Sequence, residues 1–269
     1  MNYRHSFHAG NFADLVKHAL LLWLLERRHA RGPVTVFDTH AGAGLYDLSG
    51  DAARSQEAEA GVVRLMQAEG RPPLIESLAR AVQALNPDGG VRFYPGSPRL
   101  VADRLGEGDR YVGFELNPPV RSMLTEALAG RPGTEAREGD GYTLVLNAAA
   151  QTKAPLVLID PPFERPDDYA RAADTARGLL DQDAGASVAI WTPLKDMETF
   201  DGFLRRLAGV RVLVAEARLR PLTNPMKMNG CAMVLLNPPE GAQGAAEQIC
   251  GWVVGELGDA GGRAEVWTT

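Results

Sequence analysis

Four short strands in this chain, most of them apolar, each run into an acidic or glycine-rich tip, and that recurrence limits the possible folds more than any other feature. Val34-Thr35-Val36-Phe37 runs into Asp38-Thr39-His40-Ala41-Gly42-Ala43-Gly44, and Arg110 to Leu116 carries Glu115 at its end. Thr134 to Glu138 leads to Gly139-Asp140-Gly141, and Pro155 to Ile159 ends at Asp160. Amphipathic helical stretches separate them, among them Pro119 to Ala129 and Asp168 to Leu180. Fully apolar strands alternating with helices predict a parallel sheet covered on both faces. Ligands of such sheets bind outside the carboxyl ends of the strands, where the strand order reverses. One acid at a strand end is common; four at one edge mark a site.

Around this core the chain is one α/β unit of 269 residues, with residues 51–90 read as a helical insertion. There the composition turns to Ala, Glu, Arg and Leu, and Pro72-Pro73 separates two helical pieces. Ala13 to Arg28 reads as the first helix, broken at Pro33. Val210 to Arg218 and Cys231 to Leu236 read as the last strands, with no strong helix between them. That predicts an antiparallel hairpin at one edge of the sheet.

The start of the chain lacks the apolar stretch and cleavage site of a signal peptide, and the greasy run Ala19 to Leu25 is short of the roughly 20 residues that span a bilayer. Cys231 and Cys250 have neither disulfide-framework nor metal-ligand spacing. A cytoplasmic protein that makes no membrane contact is therefore expected. The net charge of −6 leaves nucleic acid open as a substrate, because phosphates need only a local basic surface. Arg4, His5, His8, Lys17, His18, Arg27, Arg28, His29 and Arg31 could supply one; a solvated helix face would use the same residues.

The glycine loop supplies close backbone approach at Gly42 and Gly44, but a third glycine completing a dinucleotide fingerprint would fall at Asp47. The pattern suits a nucleoside ligand without a pyrophosphate, with Glu115 accepting ribose hydroxyls and Asp140 near the base. Asp160-Pro161-Pro162-Phe163 is more specific. Two prolines fix the backbone and remove its donors, so a planar amine can donate to the Asp160 carboxylate and the Pro161 carbonyl while Phe163 stacks on its ring. Such an arrangement activates a poorly nucleophilic exocyclic nitrogen and gives its proton somewhere to go. Asn237-Pro238-Pro239-Glu240 has no aromatic at the fourth place and reads as a turn. The spacing of His5, His8 and His18 gives little support to a metal site, and none is expected.

With those residues in view, the chain resembles the RlmJ family of 23S rRNA adenine-N6 methyltransferases. The likeness lies in Tyr3 to Asn11 continuing through Lys17-His18, in the Asp38 to Gly44 loop, in Tyr94-Pro95-Gly96-Ser97-Pro98, in Ile159-Asp160-Pro161-Pro162, and in Asn229-Gly230 with Asn237-Pro238-Pro239. The resemblance implies a Rossmann-like class I methyltransferase fold with a small helical insertion. It implies S-adenosylmethionine as methyl donor, held by His18, His40, Gly42, Ser97, Glu115, Asp140-Gly141 and Asp160. It also implies Asp160 as the catalytic acceptor, beside the Pro161 and Phe163 read above, and an RNA contact at Tyr3; the clustering of basic residues adds Arg4 and Lys17 as candidate RNA contacts, and no metal is expected. The substrate implied is one adenine, position 2030 of 23S rRNA, modified before the subunit is complete; a monomer is expected. The family usually has Tyr after the two prolines, so no role for that hydroxyl carries over to Phe163.

Three rival functions share parts of the pattern. An adenine-N6 DNA methyltransferase uses the same tetrapeptide, but needs a larger and more basic recognition domain than residues 51–90 offer. A nicotinamide-dependent oxidoreductase would need the missing third glycine. A non-catalytic RNA-binding protein would have no use for four intact strand tips.

Overall fold

The computed structural model describes residues 8–49, 56–223 and 228–269. Its centre is an eight-stranded sheet in the order β10-β8-β9-β7-β6-β1-β4-β5. The strands are β1 Thr35–Asp38, β4 Arg110–Glu115, β5 Thr134–Glu138, β6 Leu156–Ile159, β7 Ser187–Pro193, β8 Val212–Arg218, β9 Gly230–Leu236 and β10 Arg263–Thr268. All pairings from β5 across to β7 are parallel. From β1 the chain adds β4 and β5 on one side, then crosses over to add β6 and β7 on the other. The reversal falls between β1 and β6, so Asp38 and Asp160 stand at the switch point, where a sheet of this kind opens to ligand.

Neighbouring residues on each central strand enter different cores, which is why these strands are apolar without alternation. Val36, Leu156, Leu158 and Ala189 pack into one cluster, beneath helices α1 Phe12–His29, α3 Pro73–Leu85 and α9 Ala242–Leu257. Phe37, Val157, Ile159, Val188 and Ile190 pack into the other, beneath α6 Gly141–Ala149, α7 Asp168–Gln182 and α8 Met197–Arg206. The short helices α4 Ser97–Ala102 and α5 Pro118–Leu128 complete the first side. This is the three-layer Rossmann-like architecture expected from the sequence.

Helix α1 begins at Asn11, whose side chain accepts the N–H groups of Ala13 and Asp14 and so caps two otherwise orphaned donors. From Phe12 to Leu25 every residue but Asp14 is buried. A helix apolar all round must be covered all round, and α1 lies between the sheet, α9 and the helical segment of residues 59–85. That segment holds a π-helical turn at Glu59–Val63, α2 at Arg64–Gln67, and α3. Gly61 lets it approach: a Cβ there would stand 2.1 Å from the Gly10 carbonyl oxygen, which accepts the Val62 N–H at 2.8 Å.

One short strand pair stands apart from the main sheet, and one local expectation changes. Strand β3, Phe93–Pro95, lies outside the main sheet and pairs antiparallel with β2, Leu45–Asp47. The β8–β9 pair is antiparallel as expected, but it is not the margin of the sheet. Strand β10 adds antiparallel to β8 and forms that edge. The sequence reading had neither α9 nor β10. Glycines 244, 251 and 255 dilute the helical pattern of α9, and β10 becomes a strand only because β8 has an open edge to pair with.

Candidate active site

Asp38 caps β1 and is 1% exposed. Its Oδ2 accepts the Ser97 hydroxyl at 2.6 Å and the Tyr111 hydroxyl at 3.2 Å. The His40 N–H reaches Oδ1 at 3.3 Å. The sequence quoted Asp38 only as the start of the glycine loop, yet it ties that loop to the Ser97 helix. Burial is the largest influence on its carboxyl and pushes it from 3.8 up to about 6. The native state therefore binds this proton more tightly than the unfolded chain does. The stabilisation is complete below about pH 4 and is lost as pH rises through about 6. Two pH units correspond to about 3 kcal/mol. Asp38→Asn is expected to flatten this slope, raising stability at pH 7 relative to pH 4.5, as read from urea midpoints. An unchanged slope would remove Asp38 as its source. Asp14, held down at about 2, loses its contribution only below that window.

Beyond Asp38, the loop turns with Gly42 at φ 64° and Gly44 at φ 77°, a left-handed region that glycine enters at little cost. The Gly42 N–H then meets Glu115 Oε2 at 3.1 Å, and Glu115 Oε1 accepts the Asn117 N–H at 2.8 Å. The next tip is closed by Asp140, the N-cap of α6. Gly141 follows it from necessity, since a Cβ there would sit 1.8 Å from the Thr39 carbonyl oxygen. The β1 loop and the start of α6 thus touch backbone to backbone. His40 stands edge-on to Tyr142, with ring centroids 4.7 Å apart. Among the predicted donor-site residues, Gly42, Glu115, Asp140, Gly141 and His40 therefore come together. His18 is placed differently: it is buried, with Nδ1 2.7 Å from the Tyr94 hydroxyl.

On the other side of the switch point, Asp160 is 6% exposed and pairs with Lys17, whose Nζ is 2.6 Å from Oδ2. The same ammonium lies 2.8 Å from Asp14 Oδ1, one turn back along α1. Asp14 and Lys17, three apart on a helix, were legible as an intrahelical pair; the third member was not. The two carboxylates hold the Lys17 ammonium well above its ordinary range against the opposing cost of burial. The expectation of an exposed phosphate-binding Lys17 is therefore corrected: its side chain is buried in an acid–lysine–acid triad.

The wider basic face divides as well. Arg28 donates to the Ala154 carbonyl, and His29 lies 2.8 Å from Asp109. Those partners precede β6 and β4, so this end of α1 sits at the opposite edge of the sheet from Asp160. Tyr3, Arg4 and His5 lie outside the described residues.

A cavity of about 910 Å³ opens over Asp160, Pro161, Pro162 and Phe163, and is also walled by Lys17, Trp191, Glu57 and Asn229. Phe163 has φ 50°, a strained backbone for a residue with a bulky side chain. Phe163 is 7% exposed, and its ring rests against Tyr169, centroids 4.4 Å apart, with Trp191 at 6.0 Å. The aromatic wall is therefore three rings deep rather than one free platform. Trp191, near the end of β7, was missed; an aromatic near the carboxyl end of a central strand was its only signal. Asn237 behaves as a turn, its side-chain amide donating to the Ala184 and Ala186 carbonyls.

The family model described as Ribosomal RNA large subunit methyltransferase D, RlmJ, matches residues 31–269. A relative from Escherichia coli K12 named Ribosomal RNA large subunit methyltransferase J is 30% identical, over 99% of this chain and 98% of its own. One of the same name from Haemophilus influenzae is 31% identical, over 89% of this chain and 88% of its own. A solved structure from Legionella pneumophila superposes with a TM-score of 0.89 at 24% identity, covering 97% of this chain and 98% of the other.

Proposed function

The chain belongs to the RlmJ family of ribosomal RNA large subunit methyltransferases, and from that premise we propose that it methylates the exocyclic N6 of one adenine in 23S rRNA, adenine 2030, using S-adenosylmethionine. The observation that carries the chemistry is the Asp160–Phe163 tip at the floor of a large cavity beside the sheet's switch point. The donor fits the other half of the site. Glu115 and Asp140 offer partly exposed carboxylates at neighbouring strand tips, and glycines 42 and 141 leave the backbone between them free of side chains. The bound donor supplies a methyl group made electrophilic by its sulfonium sulfur.

In this reading Glu115 accepts ribose hydroxyls and Asp140 faces the donor's adenine, with His40, Gly42 and Gly141 lining the approach. His18 and Ser97 shape the underside through Tyr94 and Asp38. The target amine donates one N–H to Asp160 and the other to the Pro161 carbonyl, which turns its lone pair toward the methyl carbon. The nitrogen–carbon bond forms as the carbon–sulfur bond breaks, and the surplus proton leaves to Asp160 or to solvent. Lys17, with its ammonium 2.6 Å from Oδ2, fixes the Asp160 carboxylate in place. Tyr3 and Arg4 are proposed RNA contacts. We infer one methyltransferase unit over residues 1–269 including the 51–90 insertion, cytoplasmic and monomeric, acting before subunit assembly is complete.

The test is transfer of labelled methyl to deproteinised 23S rRNA and, in parallel, to duplex DNA, followed by nucleoside analysis. N6-methyladenosine in the rRNA alone is expected; label confined to DNA, or absent from N6, would overturn the reading. Phe163→Ala should raise the RNA KM by the equivalent of about 1–3 kcal/mol if the ring bears on the target base. An unchanged KM would reduce Phe163 to packing against Tyr169.

A further inference from the structure

The first turns of α7 reach both halves of the site, and one of their residues has no role in the chemistry above. Arg171 donates from Nη2 to Asp140 Oδ2. Its guanidinium carbon also stands 4.3 Å from the centroid of the Tyr142 ring. That ring meets the His40 imidazole edge-on, and its hydroxyl donates to Asp168 Oδ1, on the same helix as Arg171, at 3.3 Å. A planar guanidinium can pair with a carboxylate and lie over an aromatic face at once, a combination that a lysine ammonium does not reproduce.

We propose that Arg171 is a positioning residue for the methyl donor's adenine, holding the Asp140 carboxylate in place directly and the His40 imidazole through the Tyr142 ring. The proposal rests on the reading that Asp140 faces the donor's adenine. The Asp140 side chain already accepts the Tyr142 N–H at Oδ1, 3.3 Å, and the Thr143 hydroxyl at Oδ2, 3.2 Å. With Arg171 added, the carboxylate is fixed before the ligand arrives, so binding need not immobilise it. Asp140 and Arg171 are 31 residues apart, and the contact exists only because α7 packs beside α6.

The experiment compares binding of S-adenosylhomocysteine with binding of its inosine analogue, which lacks the exocyclic amine, by calorimetry on the full chain. Arg171→Ala is expected to weaken S-adenosylhomocysteine binding by roughly three- to tenfold, the size of one immobilised side chain. The inosine analogue should bind nearly as before, so discrimination falls. The melting temperature without ligand should hardly move. In turnover, the donor KM should rise while kcat at saturating donor stays the same, and Arg171→Lys should lie between wild type and Arg171→Ala in each readout. If Asp140→Asn loses the discrimination and both Arg171 variants keep it, the proposal is overturned while the reading of Asp140 stands. If Asp140→Asn also keeps it, the reading fails, and the proposal with it.

Discussion

Lys17→Met is expected to cost about 3–5 kcal/mol of stability at pH 7, because it strands the buried Asp160 carboxylate and the half-buried Asp14 carboxylate without their shared cation. Asp14 and Asp160 both lie within 3 Å of the Lys17 ammonium in the native state. With the cation gone, burial, the largest influence on the Asp14 carboxyl, lifts it above its unfolded value, so the variant's native state takes up a proton there more readily than its unfolded state. The variant should therefore recover stability as pH falls from 7 toward 4, and its deficit against wild type should shrink. In wild type the depressed Asp14 works the other way, stabilising above about pH 4 and losing that contribution as pH falls toward 2. Urea midpoints at pH 7 and pH 5 give the measurement. A deficit within about 0.5 kcal/mol, as for an ordinary surface substitution, would mean that the triad does not hold in solution. Methyl transfer should fail as well, since Asp160 loses the partner that fixes its rotamer.

Asp160→Ala should act almost entirely on turnover. Lys17 keeps Asp14 as a partner, so the loss in stability should be well below that of Lys17→Met. Methyl transfer should fall by about 10²–10⁴ or more, the range associated with losing a positioned proton acceptor, and further if amine orientation is lost too. Asp160→Asn sharpens the test: its amide keeps the shape of the side chain but has lost the negative charge and much of the basicity. Both variants should still bind S-adenosylhomocysteine through Glu115 and Asp140. Turnover within tenfold of wild type in either variant would remove Asp160 from the chemistry. The ordering of the two residues is itself informative. Lys17 should dominate stability and Asp160 turnover, and a reversal would mean that the triad has been read the wrong way round.

Some of the site could be read from neighbouring residues alone. The Asp-Pro-Pro-Phe tip, the glycine turn, and the acids at residues 115 and 140 were legible because each is a contiguous string whose backbone behaviour follows from residue type: proline removes a donor, glycine enters left-handed turns, and a carboxylate at a strand end faces the ligand edge. The parallel core was legible too, since a strand buried on both faces cannot alternate. What was not legible depended on partners distant in sequence. Phe163 reads as a free stacking ring, and only the fold sets it against Tyr169 and Trp191.

The sequence by itself determined the parallel core of the sheet, the edge where chemistry gathers, and the reaction class. Tertiary structure alone decided that Lys17, charged and on the first helix, turns inward to meet an acid 143 residues away. It also decided that the basic residues of α1 separate toward opposite edges of the sheet. The reason is that a local pattern reports local backbone preference, whereas a charge's burial is set by whatever the fold brings against it. One lysine formula fits a solvated phosphate contact and a buried ion pair equally well until the partner is in place.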